Sequence, residues 1–125
     1  MVVPPTRQAP QHGEIWWFDP DPVRGTELGR KVRPALVVSV DSFNQNGPKI
    51  VVVPGTSQQH HSNPFHVPFT YRLGGRQVTT YFCCDNVRAV DTRARLRRRM
   101  APQPVPPRVL RQVEQHLRTI LGLDP

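Results

Sequence analysis

The stretch "RKVRPALVVS", residues 30 to 39, sets three cations in front of an almost unbroken apolar run. A charge cannot follow its chain into a core cheaply, so Arg33 has to stand at the mouth of a strand rather than inside it. Pro34 restricts the residue before it to extended conformations, and the apolar run behind supplies a rigid base. An arginine held in this way presents a planar fork of donors that suits the oxygens of a phosphate. Arg30 and Lys31 belong to the preceding loop, where they steer a polyanion or remain solvated. The other residue types capable of chemistry are the adjacent Cys83 and Cys84, the loop pair His60 and His61, and His66. Neighbours in a strand point to opposite faces, so the two thiols are poorly placed to bond to each other. They read as one core thiol and one nearer the surface. No metal-ligand spacing recurs around these residues, so neither a metal nor a cofactor is expected. His60 and His61 read as solvated loop residues, His66 as structural, and none of them as a general base.

Charge supplies the next constraint. Seventeen Lys and Arg stand against nine Asp and Glu, for a formal +8, and fifteen of the seventeen are arginine. Nine of these arginines fall between Arg88 and Arg118, a segment whose acids are Asp91 and Glu114. A basic face is often no more than a solvated one, but an excess of arginine of this size favours a polyanionic partner. A chain of 125 residues suits one domain with one core. No run is long and apolar enough to cross a bilayer, and "MVVPPTRQAPQH" lacks the features of a signal peptide. The expectation is a cytoplasmic protein with a disordered tail over 1–12 and a single domain over 13–123.

Short strands separated by turns must position these groups. "GEIWWFD" (13–19) reads as a first strand, followed by a polar loop that Gly25 and Gly29 make mobile. "PALVVSV" (34–40) is apolar on both alternations, which predicts a central strand covered on both faces. Asn46-Gly47 marks a tight reversal before the buried strand "KIVVVPGTS" (49–57). "FHVPFTYRL" and "RQVTTYFCC" flank Gly74-Gly75 as a hairpin, and "NVRAV" is a short strand after it. "RARLRRRM" fits either an edge strand or a turn of helix. Val109, Leu110, Val113, Leu117, Ile120 and Leu121 form one helical stripe, with Pro106 or Pro107 suited to its first turn and Gly122 to its stop. Together these elements predict an α+β domain, a small barrel-like set of five to seven antiparallel strands closed by a C-terminal helix.

"GEIWWFDPDPVRGTELGRKVRPALVVSVDSFN", "VVVPGTSQ", "PFHV", "CCDNVRAVD" and "LRTILGL" follow one another from about Gly13 to Leu123. In order and spacing they resemble the MazF/PemK toxins of bacterial toxin–antitoxin pairs. The resemblance implies an SH3-like barrel of the CcdB/PemK type, a homodimer, and a metal-independent ribonuclease that cuts single-stranded RNA at short sequences. It also implies an antitoxin of the MazE kind, whose extended acidic tail wraps over the active grooves.

Residue by residue, Arg33 matches the family's essential arginine before proline, and Thr56 in "PGTS" matches its active-site threonine, with Ser57 as an alternative hydroxyl. Glu27 matches a loop acid that some members use as a base or a substrate contact. Asp85 matches a family aspartate, while Asn86 and Arg88 match positions that read or grip RNA. Trp17 or Asp19 borders the RNA groove in the matching segment, with Trp16 or Phe18 left for the core. PemK-like members place a catalytic arginine two residues before the aspartate, where this chain has Cys83, so the resemblance favours a MazF-like site resting on Arg33 and Thr56. Asn86 stands where many relatives have glutamine, which implies a change in the bases read.

Two other classes compete with this reading. A CcdB-like poison of DNA gyrase would share the fold without nuclease activity, but it needs a partner-binding helix end rather than a groove with an arginine and a threonine. A non-catalytic RNA-binding module would bind RNA with steep salt dependence and leave it intact.

Overall fold

The structure is a computed structural model that describes residues 8–20 and 32–123. Seven strands and three helices follow in the order β1 (Ile15–Phe18), β2 (Arg33–Val37), α1 (Asp41–Gln45), β3 (Lys49–Thr56), β4 (His66–Leu73), β5 (Arg76–Cys83), β6 (Arg88–Asp91), α2 (Thr92–Arg95), β7 (Leu96–Arg99) and α3 (Pro107–Leu121). A 3-10 turn, Cys84–Asn86, joins β5 to β6. All pairings are antiparallel, and the sheet runs β4-β5-β3-β2-β1-β7, with β6 added alongside β3. This is the expected α+β domain. Among the described residues no ladder joins β4 to β7, so the barrel is open at that seam.

The doubly apolar strands do bury both faces. Ile15, Leu36 and Val53 point to a cluster with Val67 and Phe82 that α3 covers through Val109 and Val113. Phe18, Ala35, Val37, Val52 and Ile50 point the other way and pack with Val90 and Leu96, so this face of the sheet curves around its own side chains. Ile15, Leu36 and Val53 alternate in register with that second set, as a period of two requires.

The strand β3 organises the site. One edge carries β2, while the other carries β6 against Lys49–Val52 and β5 against Gly55 and Thr56. Between those two partners the 3-10 turn inserts extra chain: six steps from Phe82 to Arg88 oppose three from Gly55 to Val52. The insertion bulges Cys84, Asp85 and Asn86 out of the ladder beside the end of β3.

Three local details differ from the sequence expectation. The reversal placed at Asn46-Gly47 is made instead by the short helix α1, with Asn46 as its C-cap. Asn44 is buried in that helix and bonds the Pro10 carbonyl at 2.9 Å, the Ser39 carbonyl at 3.1 Å and the Ser39 hydroxyl. The arginine run is helix and strand in succession, because Asp91 Oδ1 accepts the N–H groups of Arg93 and Ala94 and turns the chain before β7. Residues 8–12 pack against the body: Pro10 is buried, and the His12 N–H donates to Asp41 at 2.7 Å. The Gly74-Gly75 hairpin is as expected, with φ of 59° and 79° suiting a type I′ turn. In α3, Val109 and Val113 are buried, Gly122 caps the end at φ 70°, and Leu121 is 56% exposed.

Gly55 allows β3 to pass between its neighbours. A Cβ there would overlap Thr80 Oγ1 and lie 3.4 Å from the Pro34 carbonyl oxygen. Gly55→Ala should therefore destabilise the fold by about 1–3 kcal/mol. Adding Thr80→Ala should recover part of that loss. Chemical denaturation of the single and double variants checks both, and an unperturbed single variant would refute the close approach.

Candidate active site

The β2–β3 register determines which residues meet. Ala35 pairs with Pro54, and carrying that antiparallel register two residues on puts Arg33 opposite Thr56. Arg33 is also the register partner of Phe18, whose side chain is fully buried, so its backbone is anchored while its side chain stays exposed. Thr56 closes β3, and its Oγ1 accepts the Gln58 N–H at 3.2 Å, which leaves its own proton to donate. A guanidinium and a hydroxyl donor thus stand opposite one another at the end of β3, one residue beyond Gly55.

Two hollows meet at these residues. The larger, of about 620 Å³, runs from Arg33 and Thr56 to Asp85, Asn86 and Arg88, with His60 and His66 also in its wall. The smaller, of about 410 Å³, lies on the other side of Arg33 and Thr56 and is lined by Trp17, Ser57, Gln58 and Tyr71. Seven of the residues singled out in the sequence, Arg33, Thr56, Trp17, Ser57, Asp85, Asn86 and Arg88, therefore come together around one saddle. Asp19 does not join them. Its Oδ2 receives Arg97 Nη2 at 3.0 Å, and its N–H donates to the Arg95 carbonyl at 2.8 Å, so it ties β1 to the α2–β7 segment. Glu27, Arg30 and Lys31 lie outside the described residues.

On the far wall of the larger hollow, Asp85 is joined by groups that the sequence reading did not assign to the site. Asp85 Oδ2 accepts Asn63 Nδ2 at 3.0 Å, and its Oδ1 lies 3.8 Å from His66 Nε2. The His60 ring stands edge-on to that of His66, at 5.4 Å and 82°. His66 is the cross-strand partner of Cys83, so the two side chains share a face. Burial pushes the Cys83 thiol up to about 11, with Asp85 adding to the rise and Arg33 opposing it. Cys84 is driven to about 12, again chiefly by burial, with Asp85 and Cys83 adding. The sequence signal for His66 was its position in "PFHV", but a strand position gives a face and not what lies across from it.

A saddle of guanidinium and hydroxyl between two polar hollows suits a phosphodiester with a base on either side. The family model of the PemK-like, MazF-like toxins of type II toxin–antitoxin systems matches residues 11–121. The chain belongs to this family. Among its toxin relatives, the endoribonuclease MazF9 of Mycobacterium tuberculosis is 37% identical over 92 residues, 70% of this chain and 77% of its own. The endoribonuclease PemK of Escherichia coli is 32% identical over 111 residues, 89% of this chain and 81% of its own. The solved MazF of Deinococcus radiodurans superposes with a TM-score of 0.73 at 32% identity, covering 91% of this chain and 97% of that one. The MazE–MazF complex from the same organism matches with a TM-score of 0.71 at 28% identity, covering 93% and 99%.

In this family member Cys83 occupies the groove as a neutral thiol, and that has two measurable consequences. At pH 8 iodoacetamide should leave both cysteines of the folded protein largely unmodified and alkylate them after denaturation. Because the folded pKa lies above the unfolded one, the thiols stabilise the fold below about 9, and this is lost as the pH rises towards about 11. The unfolding midpoint should fall across that window. Rapid alkylation of the native protein would show that the thiols are not held as described.

Proposed function

We propose that the chain is a sequence-specific endoribonuclease toxin that cuts single-stranded RNA without a metal ion. The ribose 2′-OH attacks the adjacent phosphorus and leaves a 2′,3′-cyclic phosphate and a 5′-OH. The observation that carries the reading is the register-enforced meeting of Arg33 and Thr56 between two hollows, in a chain of formal charge +8. Arg33 donates to the non-bridging oxygens and stabilises the charge that gathers on the phosphorane. Thr56 donates through its hydroxyl to the same phosphate. Asn86 and Arg88 contact the nucleotide in the larger hollow, and Trp17 and Ser57 the one in the smaller, where a base stacks on the indole. Glu27, Arg30 and Lys31 enter as expected contacts from the loop between β1 and β2.

The relatives named MazE–MazF complexes support an antitoxin partner of the MazE kind. Its acidic segment would compete with RNA for the basic groove and so switch the enzyme off. A homodimer is part of the same reading, supported by apolar side chains exposed near the end of α3: Leu121 at 56%, Leu123 at 68% and, on α1, Phe43 at 50%.

The purified protein should cut RNA in EDTA, leaving cyclic-phosphate and 5′-OH ends detectable by end-labelling. A requirement for Mg²⁺, or 5′-phosphate products, would refute the mechanism. Arg33→Ala should slow cleavage by about 10²–10³-fold or more with an unchanged melting temperature, because its side chain projects from the core. A fully active Arg33→Ala enzyme would remove Arg33 from the site.

A further inference from the structure

A strand of RNA that fills the two hollows has to leave them, and each further phosphate carries a charge that a basic surface can meet. The edge of the sheet beside Trp17 offers such a surface. Strand β7 pairs with β1 on one side, and among the described residues no strand pairs with its other edge. Three arginines follow one another along it, Arg97, Arg98 and Arg99, and all three are exposed.

The three are not equivalent. The β1–β7 register slips between Trp17 and Phe18, which leaves Arg97 as the extra residue of a bulge. From there its Nη2 reaches Asp19 at 3.0 Å, while Arg99 Nη1 reaches Glu14 at 2.9 Å. Each of these pairs cancels a charge and ties β7 to β1. Arg98 has no ion pair or hydrogen bond among the described residues, and the two acids of β1 beside it are taken by its neighbours. It is the register partner of Trp17, which is in turn the partner of Pro34. Cross-strand partners share a face, so a row of side chains runs from Arg98 at the edge, past Trp17, to Pro34 in the wall of the smaller hollow. Arg98 itself stands just outside that wall. Three strand spacings separate β7 from β3, which puts Arg98 about 15 Å along the sheet from the strand that carries Thr56.

Resting on the endoribonuclease reading above, we infer that Arg98 binds an RNA phosphate beyond the nucleotide that stacks on Trp17. The strand then leaves the smaller hollow across β1 and β7, over the open edge of the sheet. The contact fixes the path and length of the RNA held and carries no base information. It lies far from the reacting atoms, so it stabilises bound substrate and transition state alike. Its loss therefore raises KM and leaves kcat unchanged, whereas an arginine that is merely solvated changes neither.

The cleavage site is first mapped on a long phage RNA, and oligonucleotides carrying it are then trimmed one nucleotide at a time from each end. Binding is read on the same oligonucleotides with a 2′-deoxy residue at the cut, which removes the nucleophile. For the wild type, loss of one phosphate on one side should raise KM about 3–10-fold. The same trimming should make the slope of log K against log salt shallower by about 0.7. Arg98→Ala should show both changes already on the full oligonucleotide, keep the wild-type kcat and be indifferent to that trimming. Arg98→Lys should restore most of the slope, because a point charge is enough to release a counterion. Lys49→Ala removes the same charge at the opposite end of β3 from Thr56 and should leave KM and slope near those of the wild type. Arg98→Ala with wild-type KM and slope would overturn the assignment, as would a loss equal on trimmed and full oligonucleotides. An equal loss in Lys49→Ala would also overturn it, by showing an effect of overall charge alone. Failure of the wild-type protein to cut any RNA would instead refute the endoribonuclease reading itself.

Discussion

The missing side chain at Gly55 is the constraint on which the site depends. The end of β3 is crowded by the Pro34 carbonyl on one side and by Thr80 on the other. Only a residue without a Cβ lets the strand slip through and keep both of its partners. If β3 were displaced there, the register that sets Arg33 against Thr56 would be lost, and so would the edge from which the 3-10 turn bulges. The two hollows share Arg33, Gly55 and Thr56 as their common wall, so a single close packing contact divides the two hollows and also holds the residues proposed to act on the phosphate.

Electrostatics give the two walls different characters. Around Arg33 and Arg88 the groove is cationic, as a phosphodiester chain demands. Around Asp85 it gathers a carboxylate, a nearby imidazole, and two thiols kept neutral by burial and by that same carboxylate. The neutral thiols add no negative charge to a surface that must attract a polyanion. They also pack: Cys84 belongs to the cluster under α3 and is fully buried, while Cys83 reaches the wall of the hollow.

Much of this was legible in the sequence where local rules act alone. The double glycine made the hairpin readable, the doubly apolar run of β2 announced burial on both faces, and Arg-Pro before that run located an anchored cation. The stripe of α3 was readable as a helix, although its final turn leaves Leu121 exposed. What was hidden depends on partners far along the chain. Asp19 looked like a groove residue until Arg97, 78 residues later, was seen to hold it. His66 was read as structural, and its 3.8 Å approach to Asp85 was hidden because the two lie far apart in sequence. The arginine run could not be divided without knowing that Asp91 caps its first turn, and α1 is too short for a periodic pattern to be visible.

The sharing of β3 among three strands also bears on when the groove can exist during synthesis. Its partner β2 precedes it in the chain, but β5 and β6 are made later, and α3, which seals one apolar cluster, comes last of all. Contacts of this sequence separation close only after the intervening chain is available. A nascent chain that has emerged as far as Thr56 holds Arg33 and its hydroxyl partner but neither Asp85 nor Arg88, and the strand edge beside β3 is still bare. On the proposed site, the groove is therefore complete only after the chain has emerged beyond Arg88 and the elements that follow it.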